Sequence, residues 1–439
     1  VNMMLRAITL FLFFISFIAS AQKVVRKYYD PMRQQLQEEY TVSSQDNETL
    51  EGPYKRYYAN GNVEMEGTYS GGYRSGLFLE YNEEGVLLRK INYLNGKRHG
   101  AVEVYDDNGI PIQRAFYQNN LLVDSIRSFF ESGNIKSESF FVKGKPDGLV
   151  REFYPSGSIR KEIIYKNKKP NGLTTTYYES GAKETEANFK NGVLTDFYKT
   201  YYPNGQLETI STLNPGEKTG NFKNYDEEGH LLLDANFLDS KLHGPNLAYY
   251  PDGSVRHQFQ FREGAKIGNN ISYFQNGKIK TREQVSLNGQ LVTLEEFNSE
   301  GIQLTRKTYK KEKPEGTWIY YAEDGKTPRL KETYENGKLQ GLRTTYYPSG
   351  KKSLEETYQF NLITGPVRSY YENGHVRWQC EYRASRQHGV YTSFYSSGMM
   401  KEQGEYIADK KHKDWVAYDE QGKVTKTYIF KAGILIEEK

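Results

Sequence analysis

Apolar and polar positions alternate along this chain in strand-length runs, and the runs recur on a fixed period. The copied unit is clearest from Gly52 to Gly72, GPYKRYYANGNVEMEGTYSGG. With Gly61 as an anchor, steps of 24 residues land on Gly85, Gly109, Gly133, Gly157, Gly181, Gly205, Gly229, Gly253, Gly277, Gly301 and Gly325. One extra residue then shifts the frame, and Gly350, Gly374, Gly398 and Gly422 resume it. Sixteen anchors in register make the repeat the fact from which the fold has to be read. After the anchor, apolar or small residues fall at even offsets, Val63, Met65, Gly67 and Tyr69 in the first copy. That is the period of a strand with one buried face.

Four residues before every anchor stands an aromatic, from Tyr57 and Tyr81 through Phe394 and Tyr418. Eight after it most copies carry a second, among them Tyr69, Tyr93, Tyr309 and Phe430, while Leu213 and Val285 keep the slot apolar. Residues seven back are often apolar too (Tyr54, Phe78, Val102, Trp318, Trp415), and the odd spacing to the constant ring predicts a bulge or strong local twist. Pairs such as Asn60-Gly61, Asn108-Gly109 and Asp252-Gly253 mark one tight turn, and Asn95-Gly96 or Asn191-Gly192 a second. A glycine nine before the anchor (Gly52, Gly76, Gly100 and others) is expected to open each strand where a side chain would crowd the turn. Strand, turn, strand, turn fills the period and leaves no room for a helix. The expected fold is all-β, an elongated single-layer antiparallel sheet of about sixteen tandem 24-residue β-hairpins, each lending burial to the next.

The motif YYxNGxxxxxxxYxxGxxxG, seen at Tyr57 to Gly76 and again at Tyr370 to Gly389, resembles the bacterial variant of the MORN repeat. Chains built mostly of it are commonly classed with YwqK-type antitoxins. The resemblance covers about Glu51 to Lys439 and implies a hairpin-repeat fold and a toxin-neutralising role, without naming residues for it.

Residues 1–21 lie outside the repeat: Arg6, an apolar run from Ala7 to Ile18, then Ala19-Ser20-Ala21. This reads as a secretory signal peptide with Gln22 as the mature N-terminus, because the run is shorter than the about 20 residues a spanning helix needs. Export to the periplasm, cell surface or medium is the expected address. Residues 22–50 read as an N-terminal cap holding a degenerate repeat, and 51–439 as the array. Between 285 and 334 the array weakens: Val292 replaces the glycine nine back, and Lys326 to Leu330 holds the frame-shifting insertion. A kink or change of twist is expected there, with a binding site as the other reading.

Lys plus Arg (59) nearly cancels Asp plus Glu (55), and both signs are scattered, so there is no electrostatic footprint for nucleic acid. The single cysteine, Cys380, allows no intramolecular disulfide; it sits six after its anchor, where other copies have Gly67, Ala115 or Ala187, and reads as a small inward-facing residue. His99, His243, His388 and His412 share one slot, and His230 and His375 another. Backbones one repeat apart stand about 10 Å from each other, too far for His388 and His412 to share a zinc. No nucleophile elbow, phosphate loop or H-E-x-x-H is present, so neither an enzyme, a cofactor, a metal nor a small-molecule substrate is expected.

A second aromatic beside the constant one is the most suggestive constellation: Phe130, Tyr154, Tyr178 and Tyr202 in consecutive copies, then Tyr250, Phe274, Tyr347, Tyr371 and Tyr395. Adjacent strand residues face opposite ways, which predicts an aromatic stripe on the face away from the constant ladder. Such a stripe is a flat contact surface for a protein or sugar chain, unless the twisted sheet buries both faces. The expected function is a non-enzymatic exported scaffold binding a protein along its sheet. Binding to envelope glycan or a membrane surface, and neutralisation of an extracytoplasmic toxin, are the alternatives.

Overall fold

The computed structural model describes residues 22–439, so the expected signal peptide lies outside the described residues. The chain is all-β, with 39 strands and no helix among the described residues. It divides into two units, one running through Asp196 and including Tyr201–Gly205, the other comprising Phe197–Thr200 and Gln206–Lys439. Within each, strands pair antiparallel with their neighbours in the sequence.

The first six strands show the plan: β1 (Lys23–Tyr28), β2 (Leu36–Val42), β3 (Leu50–Tyr57), β4 (Val63–Ser70), β5 (Tyr73–Tyr81) and β6 (Leu87–Leu94). Strands β1 and β2 form the hairpin of residues 22–50, and β2 pairs with β3. The two turns of a repeat differ in chemistry. In the turn from β3 to β4, Gly61 N–H donates to the Tyr58 carbonyl at 3.0 Å, and Gly61 alone takes positive φ, +92°. In the next turn type both central residues do, as at Asn95 (φ 50°) and Gly96 (φ 75°), the mirror-image geometry that suits strand twist.

The bulge expected from the odd spacing is present. Arg56 faces Met65 while Tyr57 faces Val63, and the same shift recurs at Glu80/Tyr81, Val104/Tyr105 and Ala417/Tyr418. Crowding at the glycine nine before the anchor is not general: a Cβ on Gly52 would fall 2.5 Å from Thr41 Oγ1, but one on Gly76 would meet nothing within 4 Å. The glycine's role is conformational, with φ of +75° inside β5, and Asp124 (66°), Asp196 (64°) and Lys413 (59°) adopt the same left-handed geometry where glycine is missing. Val292 breaks the rule. A β-branched residue resists positive φ, and there the pairing of Ile279–Val285 with Leu291–Phe297 runs without a register shift.

The buried row is not built from the constant ring. It consists of the residue seven back facing the residue six after the anchor: Tyr54 faces Gly67, Phe78 faces Ile91, Val102 faces Ala115, and Val367 faces Cys380. Rings eight after the anchor interleave with it. Tyr54, Tyr69, Phe78 and Tyr93 meet successively at 5.3, 5.6 and 5.2 Å between centroids, edge to face. Phe78 and Trp415 are fully buried, and glycine lies against each: a Cβ on Gly67 would fall 2.6 Å from the Phe78 ring, and one on Gly404 would collide with Trp415. The constant ring points to the opposite face, where Tyr81 donates to Glu66 at 2.9 Å and Tyr177 to Glu162 at 2.9 Å.

From Asn270 to Glu356 the inward row turns polar. Asn270 faces Glu283, Leu294 faces Lys307, Trp318 faces Glu332 and Arg343 faces Glu356. Ion pairs replace apolar contacts there: Lys266–Glu283 at 2.9 Å, Lys307–Glu296 at 2.8 Å, and Arg343 with Glu332 at 3.0 Å and Glu356 at 2.6 Å.

Candidate interaction surface

The strand ends on the constant ring, and the residue after it opens the first turn. Tyr154 N–H donates to Ser158 at 2.8 Å and its carbonyl accepts from Gly157 at 2.9 Å. All nine stripe residues, Phe130, Tyr154, Tyr178, Tyr202, Tyr250, Phe274, Tyr347, Tyr371 and Tyr395, are half-buried. In six of them the placement has a structural cause: the phenol reaches the next repeat and donates to the backbone carbonyl of its constant aromatic, a bond that Phe130 and Phe274 lack the hydroxyl to make. The bonds are Tyr154 to Tyr177 (2.7 Å), Tyr178 to Tyr201 (2.8 Å), Tyr250 to Tyr273 (2.9 Å), Tyr347 to Tyr370 (2.6 Å), Tyr371 to Phe394 (2.9 Å) and Tyr395 to Tyr418 (2.8 Å). Tyr58 does the same to Tyr81 at 2.8 Å. The stripe is therefore a line of staples from one hairpin corner to the next, each worth about 0.5–1.5 kcal/mol as a hydrogen bond.

Of the copies without a ring in this slot, all but one, which has Ala322, carry Asn or Asp, which turns inward instead. Asn82 accepts from Val86 N–H at 2.8 Å, Asp106 from Ile110 at 2.8 Å, Asn298 from Ile302 at 2.8 Å, and Asp419 from Lys423 at 2.8 Å. The slot thus caps its own turn or staples to the next.

The rings carry cations on their outer side, a feature that the sequence reading passed over. Lys136 stands 5.9 Å from the Phe130 centroid, Lys280 5.8 Å from Phe274, Arg377 5.9 Å from Tyr371 and Lys401 5.5 Å from Tyr395. In each case the cation lies three residues after the anchor, a periodicity visible in the sequence once the slot is known. Two shallow grooves open at these corners. One, of about 460 Å³ in the first unit, is lined by Phe130, Tyr154, Lys136 and Arg160 among others. The other, of about 820 Å³ in the second unit, is lined by Tyr321, Ala322, Tyr346, Tyr347 and Arg329.

Other reactive groups sit in structural roles. Cys380 is 2% exposed in the inward row, and burial pushes its thiol up to about 11. His257 donates or accepts at 2.8 Å with Asn246, and burial, with Arg256 and Lys266 nearby, lowers its pKa. The histidines of the shared slot include His99 and His243, whose Nδ1 atoms are enclosed without a hydrogen-bond partner. Among the described residues one group, Asp226, Glu228 and His230, brings three possible ligand atoms within 4.8 Å in an exposed turn. Asp226 already accepts from both His230 N–H (2.7 Å) and Glu228 N–H (3.1 Å), the same turn cap as in other copies. No helix among the described residues is long and apolar enough to cross a membrane.

Nine stretches of the chain match the MORN repeat variant family: residues 50–70, 74–95, 98–119, 146–167, 170–191, 198–214, 339–359, 363–384 and 387–408. The chain carries MORN repeats. Its MORN repeats make it a scaffold of hairpin units, and the matched stretches leave a gap from 215 to 338 that holds the polar inward row as far as Glu332, while Arg343 and Glu356 lie in the matched stretch 339–359. No curated protein matches it. Solved structures similar to it include the crystal structure of TcdB2-TccC3-Cdc42 (9% identity, 91% of this chain and 27% of that chain, TM-score 0.14). Another is TcdB2-TccC3 without hypervariable C-terminal region (10% identity, 92% of this chain and 24% of that chain, TM-score 0.15). The MORN-repeat chain spans about a quarter of the length of those chains, and at such TM-scores the likeness carries no statement of fold or function.

Proposed function

We propose that this MORN-repeat chain is a non-enzymatic, exported scaffold that binds a protein partner across its hairpin corners. The observation that carries this reading is the row of aromatic rings with a cation over each, at Phe130, Phe274, Tyr371 and Tyr395. Rings held rigidly by the sheet lose little entropy on contact, and their capping cations favour an acidic partner surface. The sequence of residues 1–21 supports an address outside the cytoplasm.

The test is capture from envelope extract by wild type and by the triple charge reversal Lys136→Glu, Lys280→Glu and Lys401→Glu, at exposed positions that the fold does not need. A partner retained by wild type and lost by the reversal is expected. Capture indifferent to the reversal, or co-sedimentation with cell-wall material or liposomes in its place, would overturn it. The toxin-neutralising role implied by the YwqK-type resemblance is the finer alternative, tested by relief of lethality of a co-expressed extracytoplasmic toxin.

A further inference from the structure

We infer that the groove at Ala322 receives a tyrosine side chain from the protein partner, in the place of a ring that the repeat itself omits. The inference rests on the protein-binding reading above and names the chemistry of the contact. Of sixteen copies of the slot after the constant ring, fifteen hold Tyr, Phe, Asn or Asp, and one holds alanine, Ala322. Alanine can neither staple to the next repeat nor cap its own turn; the turn is capped from one before the anchor, as by Asn60, Asp252 and Asn373 in ring-bearing copies, with Asp324 accepting from Lys326 N–H at 2.9 Å and Thr327 N–H at 2.8 Å.

The rest of the tyrosine environment is still in place. In the other copies the phenol donates to the carbonyl of the next constant aromatic; here that residue is Tyr346, which lines the groove. A cation stands over the ring in four other copies, two of them the stapled Tyr371 and Tyr395, always three after the anchor, although Glu64 and Glu184 hold that position in the Tyr58 and Tyr178 copies; with the one-residue insertion the equivalent position is Arg329, since Pro328 faces Tyr321 as Val63 faces Tyr57. Arg329 lines the groove as well, and Tyr320, Tyr321 and Tyr347 supply ring walls around a space of about 820 Å³. The hydroxyl acceptor, the cation and the aromatic walls of a stapled tyrosine therefore surround a gap where the chain's own ring is missing. Seven other copies show which side chain fits, because Tyr58, Tyr154, Tyr178, Tyr250, Tyr347, Tyr371 and Tyr395 make the corresponding bond within the chain.

Titration of the full chain with p-cresol, a free tyrosine side chain, and with 4-fluorotoluene, its counterpart without the donor, tests the groove without any partner. The expected result is saturable p-cresol binding about fivefold tighter than 4-fluorotoluene, the worth of one hydrogen bond. Ala322→Tyr, which supplies the native ring of other copies, should abolish it while keeping or raising the thermal midpoint; Ala322→Leu, which fills the gap without a donor, should abolish it too. No binding by wild type, equal binding of the two probes, or p-cresol binding that survives Ala322→Tyr would overturn the inference. A self-associated chain that Ala322→Tyr converts to monomer would also overturn it, by assigning the groove to a second copy. Partner capture that persists in Ala322→Tyr would sink this inference and leave the scaffold reading standing.

Discussion

Gly67 and Phe78 give the sharpest test of how the sheet is packed. Gly67 has ordinary backbone geometry, so alanine there is opposed only by space. A Cβ would sit 2.6 Å from Cγ and Cδ1 of Phe78, about 1 Å inside the 3.5–4.0 Å contact distance of carbon atoms. The ring cannot step aside freely, because it is fully buried and met edge-on by Tyr69 at 5.6 Å and Tyr93 at 5.2 Å. Gly67→Ala should therefore cost about 1–3 kcal/mol as an overpacking change. Phe78→Val, which installs the residue that Val102 provides one repeat later, should cost about 2–3 kcal/mol for the lost ring. The double variant should cost at least about 1 kcal/mol less than the sum, since trimming the ring makes room for the methyl. Repeat arrays open locally, so the quantity to measure is amide hydrogen exchange across β4, β5 and β6, alongside urea unfolding. Additivity within about 0.5 kcal/mol, or a neutral Gly67→Ala, would refute the packing scheme.

Asp124→Gly should stabilise the chain by about 1 kcal/mol in urea unfolding, by relieving a side chain held at φ 66°. Val292→Gly, where the register is already unbroken, should not. Tyr154→Phe should cost about 0.5–1.5 kcal/mol through its lost bond to the Tyr177 carbonyl, read as a lowered thermal midpoint. The Lys55 ammonium, with Tyr81, holds the Glu66 carboxyl below its ordinary range, and Arg151, with Tyr177, does the same for Glu162. Their contribution is present above the unfolded carboxylate pKa and is lost as pH falls through the depressed folded values, so acid should lower the thermal midpoint, less so in Glu66→Gln. Burial, with Glu66 beside it, pushes the Tyr81 phenol up to about 12, so its contribution is present below pH about 10 and lost as pH rises toward 12. Tyr81→Phe should blunt that alkaline loss in a pH series of thermal melts.

The period, the strand count per repeat, both turns and the bulge were legible because each is written in residues that backbone geometry selects, such as Asn95-Gly96 and the invariant Gly61. The constant ring, as in Tyr81 with its hydroxyl on Glu66, points away from the buried row, whose positions vary, since Phe78 above Gly67 and Val102 beside Ile91 are two ways of filling one volume. The nine stripe residues could be picked from the sequence, but not their destination, because a bond to the carbonyl of a residue 23 places on has no side-chain signature. Arg329 was hidden by the inserted residue, which moves the cation one place out of frame, and Ala322, though in frame, drew no notice because it carries no ring.

Every phenol staple joins residues 23 apart, so a hairpin that carries one is tied by it to its successor and to nothing farther away. Removal or duplication of one whole 24-residue unit re-forms every tie at the new joint, whereas cutting half a unit leaves a hydroxyl and a carbonyl on mismatched strands. Chain length can thus drift in whole hairpins while the joinery between them stays the same.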